Sequence, residues 1–91
     1  MLGYLVADTS FYGYPFVWLV VVAQPYRRRG VATQLIKHAE WLFRGRKLFT
    51  STNESNLASQ KLMEGLGFEL SGRIEHLDEG DPELVYFKQL D

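Results

Sequence analysis

Phe16-Val17-Trp18-Leu19-Val20-Val21-Val22-Ala23 runs through Gln24-Pro25-Tyr26 into Arg27-Arg28-Arg29-Gly30-Val31-Ala32-Thr33. The first eight residues are apolar, rich in valine and aromatics, and show no polar alternation. That pattern predicts a strand covered on both faces. Beyond the arginines, apolar residues fall at Ala32, Leu35, Ile36, Ala39, Leu42 and Phe43, with Gln34, Lys37, His38 and Glu40 between them. These offsets mark one face of a helix over residues 30–45, with Gly45 as its stop. A strand that passes through a basic, glycine-containing loop into a helix is an anion site. The first helical N–H groups lack intrahelical acceptors, and the helix dipole adds about half a positive charge there.

Outward from this junction, residues 3–8 form a short β-prone run, and residues 9–15 read as a turn holding Gly13 and Pro15. The runs at 3–8 and 16–23 are expected to pair as a hairpin. Residues 47–52 form the next strand, and strand–helix–strand order predicts a right-handed crossover and a parallel pair. Ser55 or Asn56 can cap a second helix with an apolar stripe at Ala58, Leu62, Met63 and Leu66, ended by Gly67. Residues 68–74 and 84–90 read as two antiparallel strands around an acidic turn at 76–83. The order β-β-α-β-α-β-β predicts an α/β fold with a single mixed sheet.

Composition narrows the function. Ninety-one residues suit a single domain over 1–91. A net charge of −1 argues against a general nucleic-acid binder. The absence of cysteine excludes disulfides and thiol catalysis and favours a reducing compartment, with the cytoplasm as the default. The longest apolar run, eight residues, is far short of the ~20 needed to span a bilayer. No metal is assigned.

Two motifs together resemble the GNAT superfamily of N-acetyltransferases. The first is Arg27-Arg28-Arg29-Gly30-Val31-Ala32, which matches the family's Arg/Gln-x-x-Gly-x-Gly/Ala between strand and helix. The second is Asn56 opening a helix that ends in Gly67-Phe68. The resemblance covers roughly residues 3–90. It implies an acetyl-CoA-dependent N-acetyltransferase that moves an acetyl group to a primary amine, on a small molecule or a protein, by direct attack in a ternary complex. Two departures stand out. The chain starts near the family's third strand, so it looks N-terminally short. Met63 also stands where the family often has a tyrosine that protonates the departing thiolate, and a thioether has no proton to give.

The resemblance assigns the coenzyme's pyrophosphate to the amides of Arg28, Arg29, Gly30, Val31, Ala32 and Thr33, with the guanidinium groups of Arg27, Arg28 and Arg29 adding charge-assisted bonds. All three cannot face one pyrophosphate, so at least one is expected on the surface. The pantetheine arm would lie along Val20, Val21 and Val22 by strand addition, with Asn56 across the cleft. An N–H at or near Val22 would stabilise the oxyanion. The attacking amine needs a base. Glu54 is the nearest carboxylate, Asp8 and Tyr86 are further candidates, and Tyr86 or water would serve as the acid. The alternatives are a non-catalytic or partner-completed acyl-CoA-binding module, and a phosphate or nucleic-acid binder using Arg27, Arg28, Arg29, Arg44, Arg46 and Lys47. An unpaired edge at residues 3–8 would favour a homodimer.

Overall fold

The structure, a computed structural model, describes residues 2–27 and 29–91; Arg28, one of the nominated pyrophosphate residues, lies outside them. The elements are β1 (Gly3–Phe11), β2 (Tyr14–Val22), a single 3₁₀ turn (Gln24–Tyr26), α1 (Val31–Leu42), β3 (Lys47–Asn53), α2 (Leu57–Gly65), β4 (Glu69–Ile74) and β5 (Glu83–Gln89). The β-β-α-β-α-β-β order expected from the sequence is the order found. The five strands form one sheet in the order β1-β2-β3-β5-β4. Only β2 and β3 run parallel; the other neighbours are antiparallel.

The first turn is tighter than residues 9–15. Tyr12 and Gly13 alone make it, with φ of 54° and 82°. Two central residues at positive φ form the hairpin turn whose twist matches the strands. The aromatics around it then extend the strands instead of looping out, because Phe11 packs on Phe16 and Phe49 at 4.8 and 5.2 Å.

Both helices cover the same sheet face. Ile36 and Ala39 of α1 and Met63 of α2 share one core with Val17, Leu48, Phe68, Leu84, Tyr86 and Leu90. Alternation along β3 sends Leu48, Thr50 and Thr52 inward and Phe49 and Ser51 to the opposite face. There Phe49 joins a ring cluster with Phe11, Tyr14 and Phe87. The expectation that β2 is covered on both faces is therefore corrected. Trp18 and Leu19 are 50% and 47% exposed, because no helix lies over that side of the strand.

One ion pair ties the layers together. Lys88 Nζ donates to Glu40 Oε1 of α1 at 2.9 Å and to the Leu66 carbonyl at the end of α2 at 2.7 Å. Glu40 Oε2 is buried with no hydrogen-bond partner, so the carboxylate depends on this ammonium. Lys88→Ala is expected to lower the unfolding free energy by about 2 kcal/mol, since removing one partner strands the other charge and frees a helix-end carbonyl. Urea denaturation measures it, and a loss below about 0.5 kcal/mol would mean that the pair behaves as an ordinary surface pair.

Candidate coenzyme and acyl-transfer site

The site begins where two parallel strands part. β2 and β3 pair only at Phe16–Phe49 and Val17–Thr50. On the hairpin side, Ala7 lies opposite Val17 and Val6 opposite Leu19, which leaves Trp18 without a partner. A bulge of this kind bends the strand and increases its twist. Here it turns β2 away from β3. Asp8 holds the bulge from β1: its Oδ1 accepts from Trp18 Nε1 at 2.7 Å and from the Ser10 hydroxyl at 2.7 Å. The indole bond, then the Ser10 bonds, keep the Asp8 carboxyl below its ordinary range. At the apex, the Thr50 hydroxyl donates to the Val17 carbonyl at 3.0 Å, so a side chain replaces the backbone partner at the fork.

The hairpin's bonding phase decides what the open edge presents. Ala23 N–H donates to the Leu2 carbonyl at 2.8 Å. Opposed antiparallel residues alternate between bonded and non-bonded pairs, so Gly3–Val22 and Leu5–Val20 are non-bonded. Val20 and Val22 therefore direct their N–H and C=O groups away from β1, into the gap that β3 has left. Arg27 Nε donates to the Val22 carbonyl at 3.2 Å from that side.

The gap is a cleft of about 640 Å³. One wall is the β2 edge and the other is formed by Thr50, Ser51 and Thr52 with Asn56, Ser59 and Met63. Across its mouth lies the start of α1. Gly30 precedes the helix at φ 77°, and no side chain caps the first turn. The first recorded bond to the turn is from Gln34 N–H to the Gly30 carbonyl, so the amides of Val31, Ala32 and Thr33 have no intrahelical acceptor. A Cβ added at Gly30 would meet no atom of the described residues within 4 Å, so what requires glycine there is the left-handed backbone. Asn56 caps α2, its Oδ1 accepting from Ser59 N–H at 3.1 Å. That settles the capping choice between Ser55 and Asn56.

Of the nominated coenzyme residues, Val20, Val21, Val22, Arg27, Gly30, Val31, Ala32, Thr33 and Asn56 all line this cleft. Arg29 is exposed and outside the lining. The two nominated proton-transfer residues are also outside it. Glu54 is bound to Arg73 at 2.6 Å, beside the acidic loop that holds Asp78, Glu79 and Asp81. Tyr86 is packed in the core at 3% exposure. Burial, and then the charge of Glu64, hold its phenol above the ordinary range. Sequence reasoning missed Trp18, Tyr26, Thr50, Ser51 and Thr52. The threonines carried a signal, since they are polar residues at the inward positions of a strand that begins with Leu48. Trp18 and Ser51 carried none, because only the bulge and the fork bring them to the cleft.

A family model described as the acetyltransferase (GNAT) family matches residues 1–68. The chain belongs to the GNAT acetyltransferase family. A GNAT acetyltransferase of Bacillus cereus has 39% identity and a TM-score of 0.85, over 98% of this chain and 63% of its own. The fold is also that of two more distant solved structures. One is the ribosomal-protein-S18-alanine N-acetyltransferase of Escherichia coli, with 19% identity and a TM-score of 0.83 over 96% of this chain and 60% of its own. The other is NAA60 of Arabidopsis thaliana in complex with acetyl-CoA, with 18% identity and a TM-score of 0.81 over 99% of this chain and 66% of its own. The chain thus spans a little under two thirds of the length of these proteins. No curated protein gives a significant sequence match. No helix among the described residues is long and apolar enough to cross a membrane.

Proposed function

We propose that the chain binds acetyl-CoA in the β2–β3 fork and transfers the acetyl group to a primary amine of a small molecule or a protein. One observation carries this reading. Free strand-edge amides at Val20 and Val22 and free helix-start amides at Val31, Ala32 and Thr33 open into the same cleft. The helix start suits a diphosphate. The strand edge suits the amide-bearing arm of the coenzyme, and its N–H groups suit the oxyanion formed when the amine attacks the thioester carbon. The acetyl-CoA complex of the Arabidopsis protein supports the choice of co-substrate. The C–N bond forms, the C–S bond breaks, and coenzyme A leaves as the thiolate. In this reading neither Glu54 nor Tyr86 moves the proton, and Met63 gives none. The expected compartment is the cytoplasm, and the outer edge of β1 is a surface for pairing with a second copy.

A second reading, a binding module without turnover, draws on Met63 at the cleft wall. Calorimetry with acetyl-CoA, followed by thiol release over an amine panel, separates the two. Heat with no thiol from any amine selects the inert module, and no heat at millimolar coenzyme removes both. Gly30→Ala adds a methyl to a left-handed position at a cost of about 1 kcal/mol. It is expected to weaken acetyl-CoA binding roughly tenfold, because the helix-start amides lose their aim. Unchanged affinity would detach the α1 terminus from the coenzyme.

A further inference from the structure

We infer that Ser51, backed by Glu83, takes the proton from the acceptor amine; this rests on the acetyl-transfer reading above. The fork has two openings. The helix-side opening carries the anion-binding amides. Ser51 points to the other sheet face, where Trp18 and Leu19 form the opposite lip of the same cleft. An acceptor that approaches the thioester from the side opposite the coenzyme's phosphates arrives at this lip.

The Ser51 hydroxyl donates to Glu83 Oε2 at 2.7 Å. Its hydrogen is therefore committed to the carboxylate, and its lone pairs are left to accept from a group in the cleft. Glu83 starts β5, with Asn53 of β3 and Ile74 of β4 opposite it. Among the described residues no cation lies within ion-pair distance of Glu83. Arg73, next along β4, is held by Glu54 and Glu75. Asp78 and Asp81 of the neighbouring loop are bound by Asn53 and Ser55. Glu83 is thus a carboxylate with nothing but a cleft-lining hydroxyl on its Oε2.

The proton balance is simple. The ammonium gives its proton to Ser51 Oγ while the Ser51 hydrogen passes to Glu83, which becomes the neutral acid. The freed amine pair attacks the thioester carbon. Glu83 later returns its proton to solvent or, back through Ser51, to the thiolate. Ser51 touches the substrate; Glu83 positions it and receives the proton. Glu83 stands within the acidic stretch that reads in sequence as a solvated turn, and only the β3–β5 register sets it behind Ser51.

The test uses two acceptors with acetyl-CoA at pH 7. One is the best aliphatic amine from the panel, which is mostly protonated. The other is hydroxylamine, which is largely neutral, so no base is needed to free its lone pair before attack. Glu83→Gln and Ser51→Ala should lower kcat/KM for the aliphatic amine about 100-fold, within the usual range for general-base catalysis. Ser51→Thr, which keeps the hydroxyl, should restore most of it. Thiol release with hydroxylamine, above the uncatalysed background, should fall less than about fivefold on the same scale. Acetyl-CoA affinity should stay within about twofold of the parent's, since neither residue meets the coenzyme's phosphates. Equal losses with both acceptors, or no loss with the aliphatic amine, overturn the inference. Failure of the unmodified chain to bind acetyl-CoA overturns the transfer reading itself.

Discussion

Val22→Pro is expected to cut the rate of acetyl transfer by about 10²–10³ while leaving the hairpin paired. Val22 sits in a non-bonded position opposite Gly3, so its N–H makes no ladder bond to β1. Proline there deletes a donor that faces the cleft and leaves the strand's internal bonds in place. Loss of one oxyanion donor typically costs that factor in turnover. Acetyl-CoA affinity should change far less, because the proposed diphosphate contacts lie at α1. Val21→Pro is the control. Val21 is bonded to Tyr4 across the hairpin, so proline there removes a ladder bond and should lower stability, not turnover alone. The measurements are thiol release under saturating coenzyme and thermal unfolding. If Val22→Pro keeps full turnover, the oxyanion is held elsewhere.

Leu48→Ala is expected to be the most damaging single truncation for stability. Leu48 is fully buried at 0% exposure, in the cluster with Ile36 and Ala39 of α1. Removing three carbons there leaves a cavity between helix and sheet and costs about 3 kcal/mol. For a domain of this size, that lowers the melting temperature by roughly 12–20 °C. Leu57→Ala provides the contrast. That leucine is 64% exposed at the start of α2, and its loss should stay within about 0.5 kcal/mol. A small effect at Leu48 would mean that α1 settles onto the sheet without it, and that the fork is not rigidly set by this core.

The fold was largely legible because each element announces itself locally. The α1 stripe, the Asn56 cap, the Gly67 stop and the valine-rich strand are short-range patterns, and each is found where expected, except that Leu42 at the end of the stripe is 54% exposed. The grouping of nine nominated residues along one cleft was legible for the same reason. The loop–helix junction and the strand before it are contiguous in the chain, so a sequence pattern carries their geometry with it. The departures from expectation have a different origin. Tyr12–Gly13 replaced a longer turn because Phe11 found Phe49, a residue far along the chain. Glu54 was nominated for its closeness in sequence to the third strand, but Arg73, from a strand beyond α2, captures it. Tyr86 was nominated by its chemistry and lies under the helices, because strand alternation gives it the inward side.

By itself the sequence determined the order of elements, the uncapped glycine-led helix start and the family, since hydrophobic period, glycine placement and capping act over a few residues. The tertiary structure alone decided that β5 inserts between β3 and β4, that the Trp18 bulge parts β2 from β3, and that Ser51 meets Glu83 at the resulting lip. Those features depend on strand register. Register is set by pairing energies summed between segments distant in the chain, and no local pattern records that sum.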